Sequence, residues 1–455
     1  MTFRTALCYP PSAAVTVMPP LGIGYLAAVA ERRGFPTDIY DLSRRHLTWP
    51  AFDNRLRAGA YRVVGVSVST PNYAAARALV GRLRRVLPEA LIVLGGAHPS
   101  AFTERTLREF GVDFAFQREA EVSFPAFLAA VAADVEPLGA VPGVFAVRDG
   151  RFVGEPEPSF IGDLDALPWP AWDKLEPQRY PPMPHQFFVR RLPVAPVLTS
   201  RGCPMDCSFC ATSFLFGAAV RTRRADDVVE ELRFLRDRFG IREVHFEDDN
   251  MTLPRDHART LFEKIIAANL GLTYKFPNGL MTKTLDDEVL SLMARAGVYQ
   301  ISLGIETTVE NALDKETKFV PYEQLRAVVA AAKRRNIEVQ GLFVVGLPYD
   351  DANGVRRTVR DAIRLGLDLA HFGVFVPLPG SAHGAKLAGC DIATINFFTP
   401  FGDAHLPAKD LKQLQRRALL RFYLRWRPLW KLLSMFKLRQ TRGVLDIVRK
   451  YLIGR

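Results

Sequence analysis

A chain of 455 residues is too long for one ordinary hydrophobic core, and a hydrophobic fraction of 48% excludes a disordered polymer. No run reaches the roughly 18 apolar residues of a membrane span, and Met1-Thr-Phe-Arg4 leads straight into strand-like sequence, so neither a transmembrane helix nor a signal peptide is read. The net charge of +12 is unevenly placed: residues 407 to 455 carry 14 Lys and Arg against Asp410 and Asp446, a surplus of 12, so the rest of the chain balances at zero.

From the amino terminus, residues 5 to 9 read as a short strand stopped by Pro10-Pro11, and a helix over 21 to 31 closes at Gly34. Further strands are predicted over 37 to 40, 63 to 67, 91 to 94 and 114 to 116, with helices over 74 to 87 and 101 to 110. Short apolar strands alternating with helices specify a Rossmann-like, doubly wound parallel sheet over residues 1 to 134. Ligands of such sheets sit beyond the carboxyl ends of the strands, where this chain offers the small residues Ser67, Ser69, Thr70, Gly95 and Gly96. No G-x-G-x-x-G follows the first strand, which argues against a plain dinucleotide site.

Residues 135 to 193 are rich in proline, including Pro156, Pro158, Pro168, Pro170 and Pro177, and read as an ordered linker between domains. From 194 the alternation resumes six times, with strands near 194 to 200, 243 to 247, 274 to 276, 300 to 304, 339 to 345 and 371 to 376. Helices fall between them, for example over 225 to 238 and 322 to 336. Six β/α units make a partial (β/α)6 TIM barrel over 194 to 390, with its chemistry at the carboxyl ends of the strands. Those ends carry a cysteine loop, Glu247-Asp-Asp-Asn250, Asn278-Gly279, Gly304-Ile-Glu-Thr307, Gly346-Leu-Pro348 and Pro377-Leu-Pro-Gly-Ser381.

The cysteine loop, Arg201-Gly-Cys-Pro-Met-Asp-Cys-Ser-Phe-Cys210, is the most informative run in the chain. A four-iron cluster takes one thiolate per iron. Cys203, Cys207 and Cys210 supply three, which leaves one iron an open position able to chelate a molecule carrying both an amine and a carboxylate. A structural zinc site is the alternative, and it needs a fourth ligand from Cys8, Cys390 or one of the eight histidines. Five cysteines, three of them in one loop, do not make a disulfide framework, so a reducing cytoplasm is the expected compartment.

This loop resembles the signature of the radical S-adenosylmethionine enzymes, with Phe209 at the aromatic position that the family places near the adenine. The resemblance implies a [4Fe-4S] cluster, S-adenosylmethionine on its open iron, and release of a 5′-deoxyadenosyl radical. It also implies an electron donor such as a flavodoxin or ferredoxin. Asp248, Asp249 and Glu306, with Gly304 beside the last, match family positions that hold the amino group and ribose of S-adenosylmethionine.

The amino-terminal half resembles the cobalamin-binding domain that precedes many such barrels. The residues concerned are Pro19-Pro-Leu-Gly-Ile-Gly-Tyr-Leu-Ala27, Val64-Gly-Val-Ser67 and Gly95-Gly-Ala-His-Pro-Ser100, and the run from Asp163 to Asp173 resembles the family's interdomain bridge. Two departures stand out. The chain has no DxHxxG, since Asp41 and His46 are wrongly spaced, so cobalt is expected without a protein histidine; and the usual Gly-Glu-Gly-Glu turn is Arg118-Glu-Ala-Glu121. Together the resemblances imply a cobalamin-dependent C-methyltransferase acting on an unactivated carbon in a biosynthetic pathway. A radical cyclase, rearrangement or oxidation enzyme with the same cofactors is the alternative, as is a cobalamin-free radical enzyme that kept the sheet domain and lost its ligand. A methylthiotransferase is disfavoured, because the amino-terminal half lacks the three cysteines of a second cluster.

Residues 391 to 455 read as a basic helical appendage. Leu411, Leu414, Ala418, Leu419 and Phe422 recur at helical spacing with Arg416, Arg417 and Arg421 among them, and beyond them Trp426, Trp430, Leu433 and Phe436 interleave with Arg425, Arg427, Lys431 and Lys437. That mixture suits peripheral contact with an anionic membrane at its inner face, or a helix packed on the barrel with a solvated basic side. No recognised nucleic-acid motif accompanies the charge, so the expected partner is a small-molecule or lipid substrate.

Overall fold

The computed structural model describes residues 3–11, 17–44, 47–156, 160–181, 189–310, 319–395, 399–402 and 406–435, with side chains of the last helix described to Lys431. The chain divides into two compact units. One comprises Met1–Tyr180, Phe209–Gly217 and Leu378–Asn396; the other comprises Pro181–Ser208, Ala218–Pro377 and Phe397–Arg455.

The first unit is built on a seven-stranded sheet of β1 (Thr5–Tyr9), β2 (Thr37–Asp41), β3 (Val63–Ser67), β4 (Leu91–Gly95), β5 (Phe114–Phe116), β6 (Val144–Arg148) and β7 (Arg151–Gly154), in the order β2-β1-β3-β4-β5-β6-β7. Strands β1 to β5 are parallel, and the order reverses between β1 and β3, the switch point at which sheets of this kind open a ligand crevice. Leu7, Val63, Val93 and Phe114 of the sheet pack in one buried cluster with Ile23, Ala27 and Ala30 of helix Leu21–Arg32. Helix Ser123–Ala132, which the sequence reading passes over, adds Phe124, Phe127, Leu128 and Val131 to that cluster at helical spacing.

Part of the stretch read as a linker belongs to this sheet. Strands β6 and β7 pair antiparallel to β5 and to each other, with Arg148 opposite Arg151. The two residues between them, Asp149 and Gly150, have φ of 49° and 75°, the paired positive values of a tight hairpin turn. An Asp-Gly turn between Val-Phe-Ala-Val and Phe-Val is a hairpin signal, and the surrounding prolines drew attention away from it.

The second unit holds a six-stranded parallel sheet in the order β15-β14-β13-β12-β11-β8, as expected of the partial barrel. Its strands are β8 (Val194–Val197), β11 (Glu243–Phe246), β12 (Thr273–Leu280), β13 (Val298–Glu306), β14 (Glu338–Val345) and β15 (Leu369–Val374). A short antiparallel pair, β9 (Ser200–Arg201) and β10 (Arg221–Thr222), flanks the cysteine loop. On one face of the sheet the ring of Phe246 stacks on Tyr274 at 5.6 Å and on Phe276 at 5.2 Å. The other face is unusually polar: His245 is in register with Lys275, Lys275 with Gln300, and Ser302 with Gln340.

The carboxyl-terminal region is helical, as expected. Helix Ala408–Tyr423 buries Leu411, Leu414, Ala418 and Phe422, the apolar stripe singled out in the sequence. Gln415 Nε2 donates to the carbonyl of Phe372 at 2.7 Å, and Tyr423 Oη donates to the carbonyl of Ala370 at 2.8 Å. A Cβ added to Gly346 would lie 2.3 Å from Leu411, so the glycine admits the helix to close packing. Of the two alternatives for this segment, helix Ala408–Tyr423 takes the packed one, its apolar face covering the last two strands.

Candidate functional site

The cysteine loop follows directly from β9, and Gly202 turns the chain into it with φ of 94°, a conformation that suits glycine. None of the three cysteines is in a disulfide; Cys207 is buried, and Cys203 and Cys210 are half-buried. The backbone N–H of Thr212 donates to Cys210 Sγ at 3.4 Å, the kind of hydrogen bond that favours a thiolate ligand. The other two cysteines offer nothing comparable. Cys8 lies within β1 with no exposure, and burial pushes its thiol up to about 12, while Cys390 Sγ faces the carbonyl of Lys386 at 3.4 Å. Three thiols on one irregular loop fit a cluster with one open iron.

Because residues 202 to 206 adopt no regular structure, the loop depends on the strand end from which it leaves. Asp248, just past β11, grips that end: its Oδ1 accepts from Thr199 N at 3.0 Å, Thr199 Oγ1 at 2.8 Å and Ser200 Oγ at 2.6 Å. Arg223, just past β10, holds the same segment, donating through Nη1 to the carbonyl of Leu198 at 2.8 Å and to Glu231 at 2.6 Å, and through Nη2 to Asp227 at 2.6 Å. Asp248 is only 2% exposed, and burial pushes its carboxyl up to about 6 against the pull of the hydrogen bonds from Ser200 and Thr199. The carboxylate offered in the sequence for the amino group or ribose of S-adenosylmethionine is thus bonded to Thr199 and Ser200, where it also shapes the root of the cysteine loop. Thr199, Ser200 and Arg223 were missed in the sequence, since no spacing rule links a hydroxyl pair to an acid 49 residues away.

The remaining barrel positions stay at the strand ends. Asn278 Nδ2 donates to the carbonyl of Glu247 at 2.9 Å and ties the end of β12 to that of β11, beside the half-buried Asp249. A Cβ on Gly279 would lie 2.8 Å from Gly304 Cα, so β12 and β13 approach here as only glycines allow. Glu306 closes β13 with φ of 61°, in the left-handed region that non-glycine residues seldom enter, at a cost of about 1–3 kcal/mol. The next residues hold it there: Thr307 Oγ1 meets Thr358 Oγ1 at 2.9 Å, and Thr308 Oγ1 donates to Asp361 at 2.8 Å, both on helix Ala352–Arg364. Phe209 is half-buried.

In the first unit, the loops after β3 and β4 interlock. Val68 N donates to the carbonyl of Gly95 at 2.7 Å, and His98 N to the carbonyl of Val68 at 3.1 Å. A side chain at Gly96 would meet the Val68 carbonyl at 2.7 Å, whereas one at Gly95 would meet nothing within 4 Å, so Gly95 borders open space. Ser67 and Ser69 are half-buried on the same rim. Thr70 turns inward, its Oγ1 3.0 Å from His98 Nδ1. His98 has no exposure, lies 4.8 Å from the Tyr73 ring, and is pushed by burial down to about 4, so it is neutral and shut away from the rim. A cofactor resting on this rim finds room and hydroxyls but no imidazole from this loop. Arg118, in the substituted turn, takes φ of 58° as a glycine would, and its guanidinium lies over the Phe160 and Phe214 rings.

Residues 12–128 match the B12 binding domain, and residues 197–362 match the radical SAM superfamily. A cytidylyl-2-hydroxyethylphosphonate methyltransferase of Streptomyces wedmorensis is 31% identical over 72% of this chain and 69% of its own length. The chain belongs to the cobalamin-binding radical S-adenosylmethionine enzymes. An uncharacterised methyltransferase of Pyrococcus horikoshii is 27% identical over 91% of this chain and 90% of its own length. The fold is that of the radical S-adenosylmethionine methyltransferase TsrM from Kitasatospora setae, with a TM-score of 0.72 at 18% identity, covering 96% of this chain and 90% of that one.

Membership brings a [4Fe-4S] cluster, S-adenosylmethionine and cobalamin as cofactors; the similar proteins include anaerobic magnesium-protoporphyrin IX monomethyl ester cyclases, and methyl transfer is the main reading. Within that frame the grip of Asp248 has a direct consequence. Removing the carboxylate leaves the donors of Thr199 and Ser200 without their acceptor, at about 1–3 kcal/mol for each buried group. The Asp248→Ala variant is expected to keep its circular dichroism spectrum yet hold less iron after anaerobic reconstitution, with Asp248→Asn between it and the wild type. Full iron and wild-type cleavage of S-adenosylmethionine in both variants would show that the clamp is irrelevant to the loop.

Proposed function

We propose that the chain transfers a methyl group to an unactivated carbon of a small polar metabolite in a biosynthetic pathway. What carries the reading is the sequence match to methyltransferases along both units, joined to a loop that bears three cysteines outside any disulfide. When bound, the cluster and S-adenosylmethionine supply the radical that activates the carbon, and cobalamin supplies the methyl carrier. Cys203, Cys207 and Cys210 hold the cluster; Glu306, with Gly304, Asp249 and Phe209, binds S-adenosylmethionine; Ser67, Ser69, Gly95 and Gly96 border cobalamin, with Thr70 set behind them. A flavodoxin or ferredoxin of the cytoplasm supplies the electron.

The polar face of the barrel sheet supports a substrate with hydrogen-bonding groups. Gln300 Oε1, Ser302 Oγ and both amide atoms of Gln340 are buried without a partner among the described residues, an arrangement that is costly unless water or a ligand satisfies it. Lys275, fully buried on the same face, is pushed down by burial to about 8. The substrate named for the Streptomyces wedmorensis relative is likewise polar. Mass spectrometry of reactions with methyl-deuterated S-adenosylmethionine is expected to find a product carrying one labelled methyl group. In the Glu306→Gln variant the KM for S-adenosylmethionine should rise roughly tenfold to a hundredfold, the value of one charge-assisted hydrogen bond. Cyclisation or oxidation without label in the product would contradict methyl transfer.

Peripheral contact with a membrane falls to the last helix, Trp426–Met435, since the stripe of helix Ala408–Tyr423 is covered. Trp426 and Trp430 stack with ring centroids 5.8 Å apart and are 74% and 60% exposed, beside exposed Leu424, Arg421 and Arg427. Among the described residues no helix is long and apolar enough to cross a membrane. Aromatic rings flanked by cations fit the headgroup layer of an anionic leaflet, at about 1 kcal/mol per basic residue. Co-sedimentation with phosphatidylglycerol-containing vesicles at physiological salt should fall in the Trp426→Ala, Trp430→Ala double variant; binding equal to the wild type would remove this helix as the contact.

A further inference from the structure

The outer edge of β2 carries a cavity that the methyl-transfer reading does not use. As an edge strand, β2 pairs only with β1. Its free side is walled by helix Trp49–Gly59, by helix Trp172–Leu175 and by Tyr180, which enclose a cavity of about 430 Å³ entirely within the first unit. That volume lies in the range of small-molecule sites.

The acidic groups of this cavity are already matched. Asp38 accepts from Arg4 Nη2 and from Tyr61 Oη, each at 2.5 Å, and these bonds outweigh burial and hold its carboxyl below the ordinary value. Asp41 accepts from Ser43 Oγ and from Tyr180 Oη, each at 2.6 Å. Of the basic groups, Arg4 pairs with Asp38 and Lys174 with Glu31, but Arg44 and Arg55 are not matched in the same way. Arg44 lies 4.9 Å over the Tyr180 ring with its side chain only 9% exposed, and its contact with Glu176 is a loose 3.6 Å. Its Nε is buried with no hydrogen-bond partner among the described residues. Arg55, on helix Trp49–Gly59, lines the cavity from an exposed position and makes no ion pair or hydrogen bond among those residues. The unused capacity is therefore donor capacity, and it is cationic.

We propose that this cavity binds a phosphate monoester with a planar body. A guanidinium presents parallel N–H groups that match phosphate oxygens two at a time, and the Nε of Arg44 has no acceptor among the described residues. The rings of Tyr40, Tyr61 and Tyr180 line the same cavity and offer apolar faces to the body of the ligand.

Isothermal titration calorimetry of the full chain with phenyl phosphate, benzoate and phenol separates the contributions, because the three probes share a ring and differ only in their polar group. Phenyl phosphate is expected to bind more tightly than benzoate, and phenol not at all. Arg55→Ala and Arg44→Gln should each weaken phenyl phosphate about tenfold or more, the scale of one charge-assisted hydrogen bond. Arg55 is exposed, so its variant decides the matter even where Arg44→Gln fails to fold. Absence of phenyl phosphate binding at millimolar concentration, equal binding of benzoate or phenol, or wild-type affinity in Arg55→Ala would overturn the proposal.

Discussion

The buried carboxylate of Asp248 is the constraint on which the cluster chemistry rests. A loop of three thiols can hold a four-iron cluster only if its root is fixed, and residues 202 to 206 have no helix or strand of their own to fix it. The strand end supplies what the loop lacks. Thr199 and Ser200 are gripped by Asp248 on one side, and the carbonyls of Leu198 and Thr199 are met from the other by the guanidinium and the backbone N–H of Arg223. Arg223 is anchored in turn by Glu231, whose side chain is only 1% exposed. An ion pair this deep costs desolvation, and its value lies in geometry more than in net stability.

The same economy of form recurs at the other strand ends. Glu306 sits in a strained backbone conformation held by Thr307 and Thr308, which bond Thr358 and Asp361 of a neighbouring helix, and this is how a barrel aims a side chain without a dedicated loop. In the sheet domain, Gly96 permits the loops after β3 and β4 to touch, and His98 is spent on Thr70 inside. That explains in physical terms how a domain of this family can lack the DxHxxG histidine and still offer no substitute from the Gly-Gly-Ala-His-Pro-Ser run.

Much of this was legible in the sequence, where local pattern and final structure agree. Strands β1, β3 and β5 fall on their predicted residues, and all six barrel strands appear, because each is a short apolar run bounded by turn residues. The cysteine loop was legible because its spacing is itself the chemistry. What escaped detection depended on distance in the chain. Asp248 and Thr199 meet only in the fold, and the polar row of His245, Lys275, Gln300 and Gln340 lies on four strands whose register the sequence does not print. Helix Ala408–Tyr423 was recognised as amphipathic, but whether its stripe faced lipid or protein was decided by Leu411 closing over Gly346.

The central claim is that one cluster, held by Cys203, Cys207 and Cys210 alone, drives the reaction. Its most direct test is iron content measured together with anaerobic cleavage of S-adenosylmethionine in the wild type, in Cys207→Ala and in the double variant Cys8→Ala, Cys390→Ala. The account predicts about four irons per chain and full cleavage in the wild type and the double variant, with both lost in Cys207→Ala. Full iron and wild-type cleavage in Cys207→Ala would contradict it.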